Sequence, residues 1–248
     1  MNKPVLSERM QAIEDMVLPG LPVADIGTDH GIIPADILLK GICPFAVLTD
    51  INSGPLEKCR ENLKTFGVDP TSYSILQGDG FDPVGDGGLG TVIAAGMGGE
   101  LIIGFFEETG WSLERPAGEP LAKRFVLQPR THADDLRSYL TEAEFRLCDY
   151  KLVKERGRIC EVFAVEPCGA GELRPDCGLV SSFLLEKNDP LIREFVDGKI
   201  RTAYRNARNA SVSDRTDAKY AAEVWNTVAQ QLEDIRRNIL KNRSFWTY

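Results

Sequence analysis

Residues 23–31, Val-Ala-Asp-Ile-Gly-Thr-Asp-His-Gly, constrain the fold more than any other stretch of the chain. A short apolar run (Leu21, Val23, Ile26) breaks into a glycine-bounded turn, and the spacing predicts a helix from Ile32 to Lys40. Strand, loop and helix N-terminus in that order build the nucleotide pockets of α/β sheets, because the loop exposes backbone and the helix offers free amides. A dinucleotide fingerprint would read G-x-G-x-x-G, whereas Gly27-x-Asp29-x-Gly31 places an acid in the middle. Asp29 disfavours a diphosphate and favours a cationic or zwitterionic nucleoside, of which S-adenosylmethionine is the common one.

Strands and helices then alternate. An amphipathic N-terminal helix (Leu6, Met10, Ile13, Val17) precedes the first strand, and Ala46–Asp50 reads as the second. A helix over Pro55–Phe66 has Pro55 in its first turn, where its fixed φ is favourable. Tyr73–Gln77 and Thr91–Ala95 are short β-type runs ending in glycine-containing turns, and Leu101–Phe106 begins another helix. Arg124–Leu127 is a fifth strand closed by Gln128-Pro129, and Ala133–Leu140 is helical. Arg146–Val153 and Ile159–Val165 predict a hairpin turning at Gly157. Five βα units followed by an antiparallel pair predict an α/β fold: a doubly wound, mostly parallel seven-stranded sheet of the Rossmann-like methyltransferase type.

Residues 167–178 are rich in Gly and Pro and read as a linker. Beyond them the periodicity changes. Ile192, Val196, Ile200, Ala203 and Ala207 form one apolar stripe; Ala221, Trp225, Val228, Leu232, Ile235 and Ile239 form another. Two long helices joined near Ser211–Asp214 would make an α-helical hairpin, coiled-coil-like along the second stripe. The expected organisation is a cofactor-binding domain over 1–166, a linker over 167–178 and a helical hairpin domain over 179–248.

The N-terminal Met1-Asn2-Lys3-Pro4 lacks the apolar core of a leader, and no run reaches membrane-spanning length, so the expected location is cytoplasmic with no membrane partner. Six cysteines without a CxxC pair are expected to be reduced thiols, and no structural metal is expected. Net charge is −8, which argues at first against nucleic acid. The distribution reverses that. Residues 193–248 carry 11 basic and 7 acidic side chains, while residues 1–192 carry 18 and 30. The basic excess is confined to the helical tail. There Arg201, Arg205 and Arg208 share one helical face, either a phosphate-tracking surface for RNA or the ordinary solvated side of an amphipathic helix.

The candidate cofactor site is assembled from strand ends. Asp25, Gly27, Asp29 and His30 belong to the first loop. Asp50 ends the second strand, 19 residues after Gly31, where an acid accepts from ribose hydroxyls; it could equally cap the helix that follows. Asp79 and Gly80 follow the third strand, where a carboxylate can accept from an adenine amino group or simply hold a turn. Ala95-Gly96-Met97-Gly98-Gly99 follows the fourth. Glycines crowded there predict close backbone approach to a flat ligand, with the Ala95 and Gly96 carbonyls and the Met97 side chain against the reacting base, unless Met97 is plain core. His30 and His132 are read as packing or hydrogen-bonding residues in preference to bases.

Leu6-Ser7-Glu8-Arg9, Ala24-Asp25-Ile26-Gly27-Thr28-Asp29-His30-Gly31, Gly78-Asp79-Gly80, Ala95-Gly96-Met97-Gly98-Gly99 and Leu127-Gln128-Pro129, taken in order, resemble the bacterial tRNA adenine-N1 methyltransferases that modify position 22 of tRNA. The resemblance spans about residues 5–165, and the helical tail matches that family's C-terminal coiled coil in kind. It implies an enzyme with a class I methyltransferase fold, S-adenosylmethionine as cofactor and tRNA as partner. Asp29 is the candidate carboxylate for stabilising the cationic methylated base, and Met97 the candidate contact to that base. Two other readings stay open: a methyltransferase of a small molecule or protein, and a cofactor-binding regulator without turnover.

Overall fold

The computed structural model describes residues 3–84, 88–108, 122–168, 178–212 and 218–243. The chain forms two compact units, Met1–Gly178 and Leu179–Tyr248. Most of the predicted linker, residues 169–177, lies outside the described residues.

The first unit holds seven strands: β1 (Val23–Ile26), β2 (Ala46–Asp50), β3 (Tyr73–Gln77), β4 (Leu89–Gly98), β5 (Ala122–Thr131), β6 (Phe145–Glu155) and β7 (Arg158–Pro167). They pair in the order β3-β2-β1-β4-β5-β7-β6. β1 to β5 are parallel, while β7 runs antiparallel to both β5 and β6. Parallel neighbours need crossovers, supplied by the helices α2 (Ile32–Leu39), α3 (Ser53–Phe66) and α4 (Gly99–Glu108), with α1 (Glu8–Asp15) preceding the sheet and α5 (Ala133–Glu142) leading from β5 to β6. Strand order reverses between β1 and β4, the switch point at which open α/β sheets bind ligands. All four residues of β1 are buried, as expected of a central strand covered on both faces. Ile13, Ile37, Leu48, Leu63, Ile93 and Val126 fill one face. Phe125 points the other way from Val126 and joins Phe81, Phe106 and Phe145 in edge-on and tilted contacts of 5.2–5.6 Å. The β6–β7 turn is Arg156-Gly157, both at positive φ, as a two-residue type I′ turn requires.

Two strands run further than their sequence predicts. β4 continues through Gly98, and β5 continues past Gln128-Pro129 to Thr131. The two stay paired through register shifts, with Ala95 opposite Gln128, Met97 opposite Pro129 and Gly98 opposite Thr131. Gly96, at φ +77°, takes the left-handed step that bends the strand without ending it.

The second unit contains α6 (Ser182–Lys187), α7 (Ile192–Ser211) and α8 (Ala218–Arg243), with α7 packed along α8. Val196, Ile200, Ala203 and Ala207 of α7 are buried, as are Ala222, Ala229 and Leu232 of α8. Trp225, placed in the predicted stripe, is 37% exposed. Alanines at the contact let the helices approach closely and turn the large indole to the flank. Tyr204 Oη donates to Glu233 Oε1 at 2.9 Å, and Arg236 pairs with Asp197 at 3.3 Å. Part of the joint predicted near Ser211–Asp214 falls at residues 213–217, outside those described.

Candidate functional site

The C-terminal ends of β1 to β5 converge at the switch point. β1 is central, so Asp25 sits between Leu48 of β2 and Ile93 of β4 and is buried. Burial pushes its carboxyl up to about 7; the Thr28 hydroxyl opposes the rise and the Asp50 charge adds to it. Thr49 Oγ1 on β2 is buried and makes no hydrogen bond to the described residues. The loop is tied down by its backbone, Thr28 N donating to Thr49 O at 2.8 Å.

Gly27 has φ +67°, and a Cβ there would collide with the methyl of Met97. The β4 end and the β1 loop are thus in contact through Met97, and Asp25, Gly27, Ala95, Gly96 and Met97 lie together. Gly96 is exposed with nothing within 4 Å of an added Cβ, so its backbone faces open space. Gly99 has a different reason to be glycine: an added Cβ would lie 2.8 Å from the Thr131 carbonyl oxygen and closer still to that of His132. Close approach at Gly99 is to the protein's own backbone. The flat-ligand reading of the glycine string therefore falls to Ala95 and Gly96.

Asp50 Oδ1 accepts from Asn52 N at 2.8 Å, and Asp50 O accepts from Gly78 N at 3.1 Å. The carboxylate stands at the strand end where a ribose acid is expected and also closes the turn into α3. Asp29 is 79% exposed in its side chain and lies 3.4 Å from His30 Nε2, and the His30 carbonyl accepts from Asn62 Nδ2 at 2.9 Å. Asp79 is exposed, and its carbonyl accepts from Asp82 N at 3.2 Å in the turn after β3. Gly80 is packed against the Phe105 ring, where a Cβ would come within 2.6 Å. Its glycine is accounted for by that packing.

Sequence reasoning assigned no role to Gln128, which is 3% exposed at the β5 end and hydrogen-bonded to Arg9 at 3.0 Å. Its sequence signals were a polar residue closing the apolar run Phe125-Val126-Leu127 and a place in the Leu127-Gln128-Pro129 motif. His132 adopts φ 53°, uncommon outside glycine, with Nδ1 2.8 Å from Asp135 Oδ2 and Nε2 3.7 Å from Glu100. The Asp135 carboxylate holds its ionisation above the ordinary histidine value. Arg201, Arg205 and Arg208 are exposed on α7 of the second unit, opposite the buried Ala203 and Ala207. Among the described residues no group of three or more His, Cys, Asp or Glu could hold a metal ion. Nor is any described helix long and apolar enough to cross a membrane. Cys43, Cys59, Cys148, Cys160 and Cys168 are free thiols; burial pushes Cys59 up to about 12 and Cys43 to about 11, which leaves both protonated.

The donor set suits a cationic nucleoside. A buried acid beside a second carboxylate is a poor neighbour for a diphosphate and a good one for a sulfonium or ammonium group. Ala95 and the exposed Gly96 stand at the β4 end, which meets the Gly27 loop through Met97.

Residues 6–163 match a family model described as a methyltransferase domain. The tRNA (adenine(22)-N(1))-methyltransferase of Bacillus subtilis (strain 168) is 30% identical over 166 residues, 67% of this chain and 67% of its own length. The crystal structure of the B. subtilis M1A22 tRNA methyltransferase TrmK superposes with a TM-score of 0.78 at 24% identity, covering 94% of this chain and all of that one. TrmK of M. capricolum, solved with the cofactor product S-adenosyl-homocysteine, gives 0.73 at 14% identity over 94% and 99% of the two chains. At those identities the two structures establish the fold.

Proposed function

The chain belongs to the tRNA (adenine-N1)-methyltransferases, and from that premise we propose that it methylates N1 of an adenine in tRNA, at position 22, with S-adenosylmethionine as cofactor. The observation that carries the reading is the 30% identity to a tRNA (adenine(22)-N(1))-methyltransferase over 67% of both chains. The acid-lined switch point supports the cofactor, since Asp25 and Asp50 present two carboxylates to a cation.

S-adenosylmethionine, when bound, supplies a methyl group made electrophilic by its sulfonium. The chain's own residues have a positioning task. N1 of adenine carries an in-plane lone pair, so no residue must remove a proton before transfer. Holding the base in line with the methyl is worth roughly 7–11 kcal/mol, against a few kcal/mol for taking the base out of its stack. The Ala95 and Gly96 carbonyls can accept from the adenine amino group, and Met97 can pack on the ring. Asp25, Asp50 and Asp79 hold the cofactor, with Gly27, His30 and Gly80 shaping the loops around it. Methylation leaves a cationic base, and Asp29 is the carboxylate assigned to balance it. Its exposure means that its charge is screened until bound RNA excludes water. Arg201, Arg205 and Arg208 provide the phosphate contacts, and the location is cytoplasmic, where tRNA is found.

Transfer of labelled methyl from S-adenosylmethionine to unmodified bacterial tRNA, followed by nucleoside analysis, tests the reading. N1-methyladenosine that disappears when adenine 22 is replaced by guanine is expected. Cofactor binding without transfer to tRNA would overturn the RNA assignment in favour of a small-molecule or protein substrate.

A further inference from the structure

Arg9 lies on α1, outside the residues given a role above, and its guanidinium joins distant parts of the first unit. Nε donates to Glu155 Oε2 at 2.9 Å and an Nη donates to Gln128 Oε1 at 3.0 Å, across 146 and 119 residues of chain. Gln128 Nε2 donates onward to the Pro129 carbonyl at 3.1 Å. Gln128 and Pro129 stand opposite Ala95 and Met97, on either side of the first register shift between β4 and β5. The same N-terminal segment is braced twice more. Ser7 Oγ caps α1 by accepting from Met10 N at 3.3 Å, and the Ser7 hydroxyl and Arg9 together hold the Glu155 carboxyl below the usual range.

The chemistry of these groups fixes an orientation. A guanidinium only donates, so Gln128 must turn its oxygen to Arg9, which aims its NH2 at Pro129 O. Arginine reaches two acceptors on different strands with donors held in one plane, whereas a lysine ammonium is a point charge on a flexible stem. The constraint falls where regular pairing cannot supply it, because the register shifts interrupt the β4–β5 ladder at Ala95–Gly98.

We propose that Arg9 is a positioning residue for the acceptor side of the methyltransferase site. Through Gln128 and Pro129 it sets where the Ala95–Met97 backbone stands, and so where the base is held for transfer. The inference rests on the methyl-transfer reading above, and Arg9 itself touches neither reactant.

Wild type, Arg9→Lys and Arg9→Ala are compared in tRNA methylation kinetics, cofactor calorimetry, thermal melting and amide hydrogen exchange. Arg9→Lys is expected to lose about ten- to a hundred-fold in kcat, as a misplacement near 1 Å does, and to bind cofactor within about three-fold of wild type. Exchange should quicken at residues 95–98 and 128–131 in both variants and stay unchanged at 23–26. Wild-type turnover in Arg9→Lys would overturn the proposal, as would protection lost equally at 23–26 and 95–98, which marks a merely structural role. If the wild type transfers no methyl to tRNA, the functional reading fails by itself. The exchange pattern then decides the positioning claim, and unaltered exchange at 95–98 in Arg9→Lys refutes it.

Discussion

Asp25 makes cofactor binding a proton-releasing event. Its carboxyl ionises at about 7 in the folded chain against an ordinary 3.8, because it is buried and faces the charge of Asp50. A cationic ligand favours the ionised form, so the apparent dissociation constant carries the factor 1 + 10^(7 − pH). That factor is about 1.1 at pH 8 and about 11 at pH 6, a ten-fold loss equal to about 1.4 kcal/mol. Asp25→Asn should bind more weakly at every pH and lose this dependence. The ligand's own amino group titrates in both cases, so the ratio of the two affinities isolates Asp25. Calorimetry in buffers of different ionisation enthalpy should show about half a proton released at pH 7. The sign for stability runs opposite to that of an ion-paired carboxylate. The ligand-free fold binds more protons than the unfolded chain between about pH 4 and 7, so stability falls as pH rises through that window. Asp25→Asn should therefore melt higher than wild type at pH 8, by up to about 4 kcal/mol of stability, and gain nothing near pH 4. An affinity ratio that is flat from pH 6 to 8 would refute the reasoning.

Two glycines close in sequence should respond differently to alanine. Gly96→Ala costs only its left-handed backbone, about 1–2 kcal/mol, whereas Gly99→Ala drives a methyl into fixed carbonyls and should cost about 3 kcal/mol or more in urea unfolding. Equal losses would contradict the assignment of Gly99 to internal packing. Replacing Arg201, Arg205 and Arg208 together by Gln should weaken tRNA binding and flatten its log–log salt dependence by about 2–3, with cofactor affinity unchanged. An unaltered slope would remove the RNA role of that face. Phe106→Ala should cost about 3–5 kcal/mol of unfolding free energy, since the ring is at the centre of the aromatic layer. A loss below 1 kcal/mol would mean that layer is not a packed core.

Local chemistry was legible wherever it acts over a few residues. The β1 loop, strands β2 and β3 and the Arg156-Gly157 hairpin follow directly from periodicity and turn residues. The end of β4 was not, because a run of glycines argues for a turn on propensity alone, while pairing with β5 carries the strand three residues further. Heptad counting put Trp225 at the α7–α8 contact, yet close helix approach selects Ala222 and Ala229 and leaves the indole at the side. Asp50 reads from sequence as a ribose acid or a cap for the following helix, and the folded loop has its carboxylate holding Asn52 N. Arg9 and Gln128 are separated by 119 residues, so no window of sequence brings them together.

The strand order carries a consequence for how the chain is made. β7 is the last strand of the sheet to be synthesised, yet it lies inside it, between β5 and β6. A nascent chain that has emerged only as far as Glu155 holds five strands able to pair, an open β5 edge and a β6 whose neighbour does not exist. Among the described residues, it is β7 that pairs with β5 on that side. Residues 158–167 therefore act as the keystone: ribosomes must deliver them before the sheet can shut, and until then unsatisfied backbone on β5 is the surface most in need of protection.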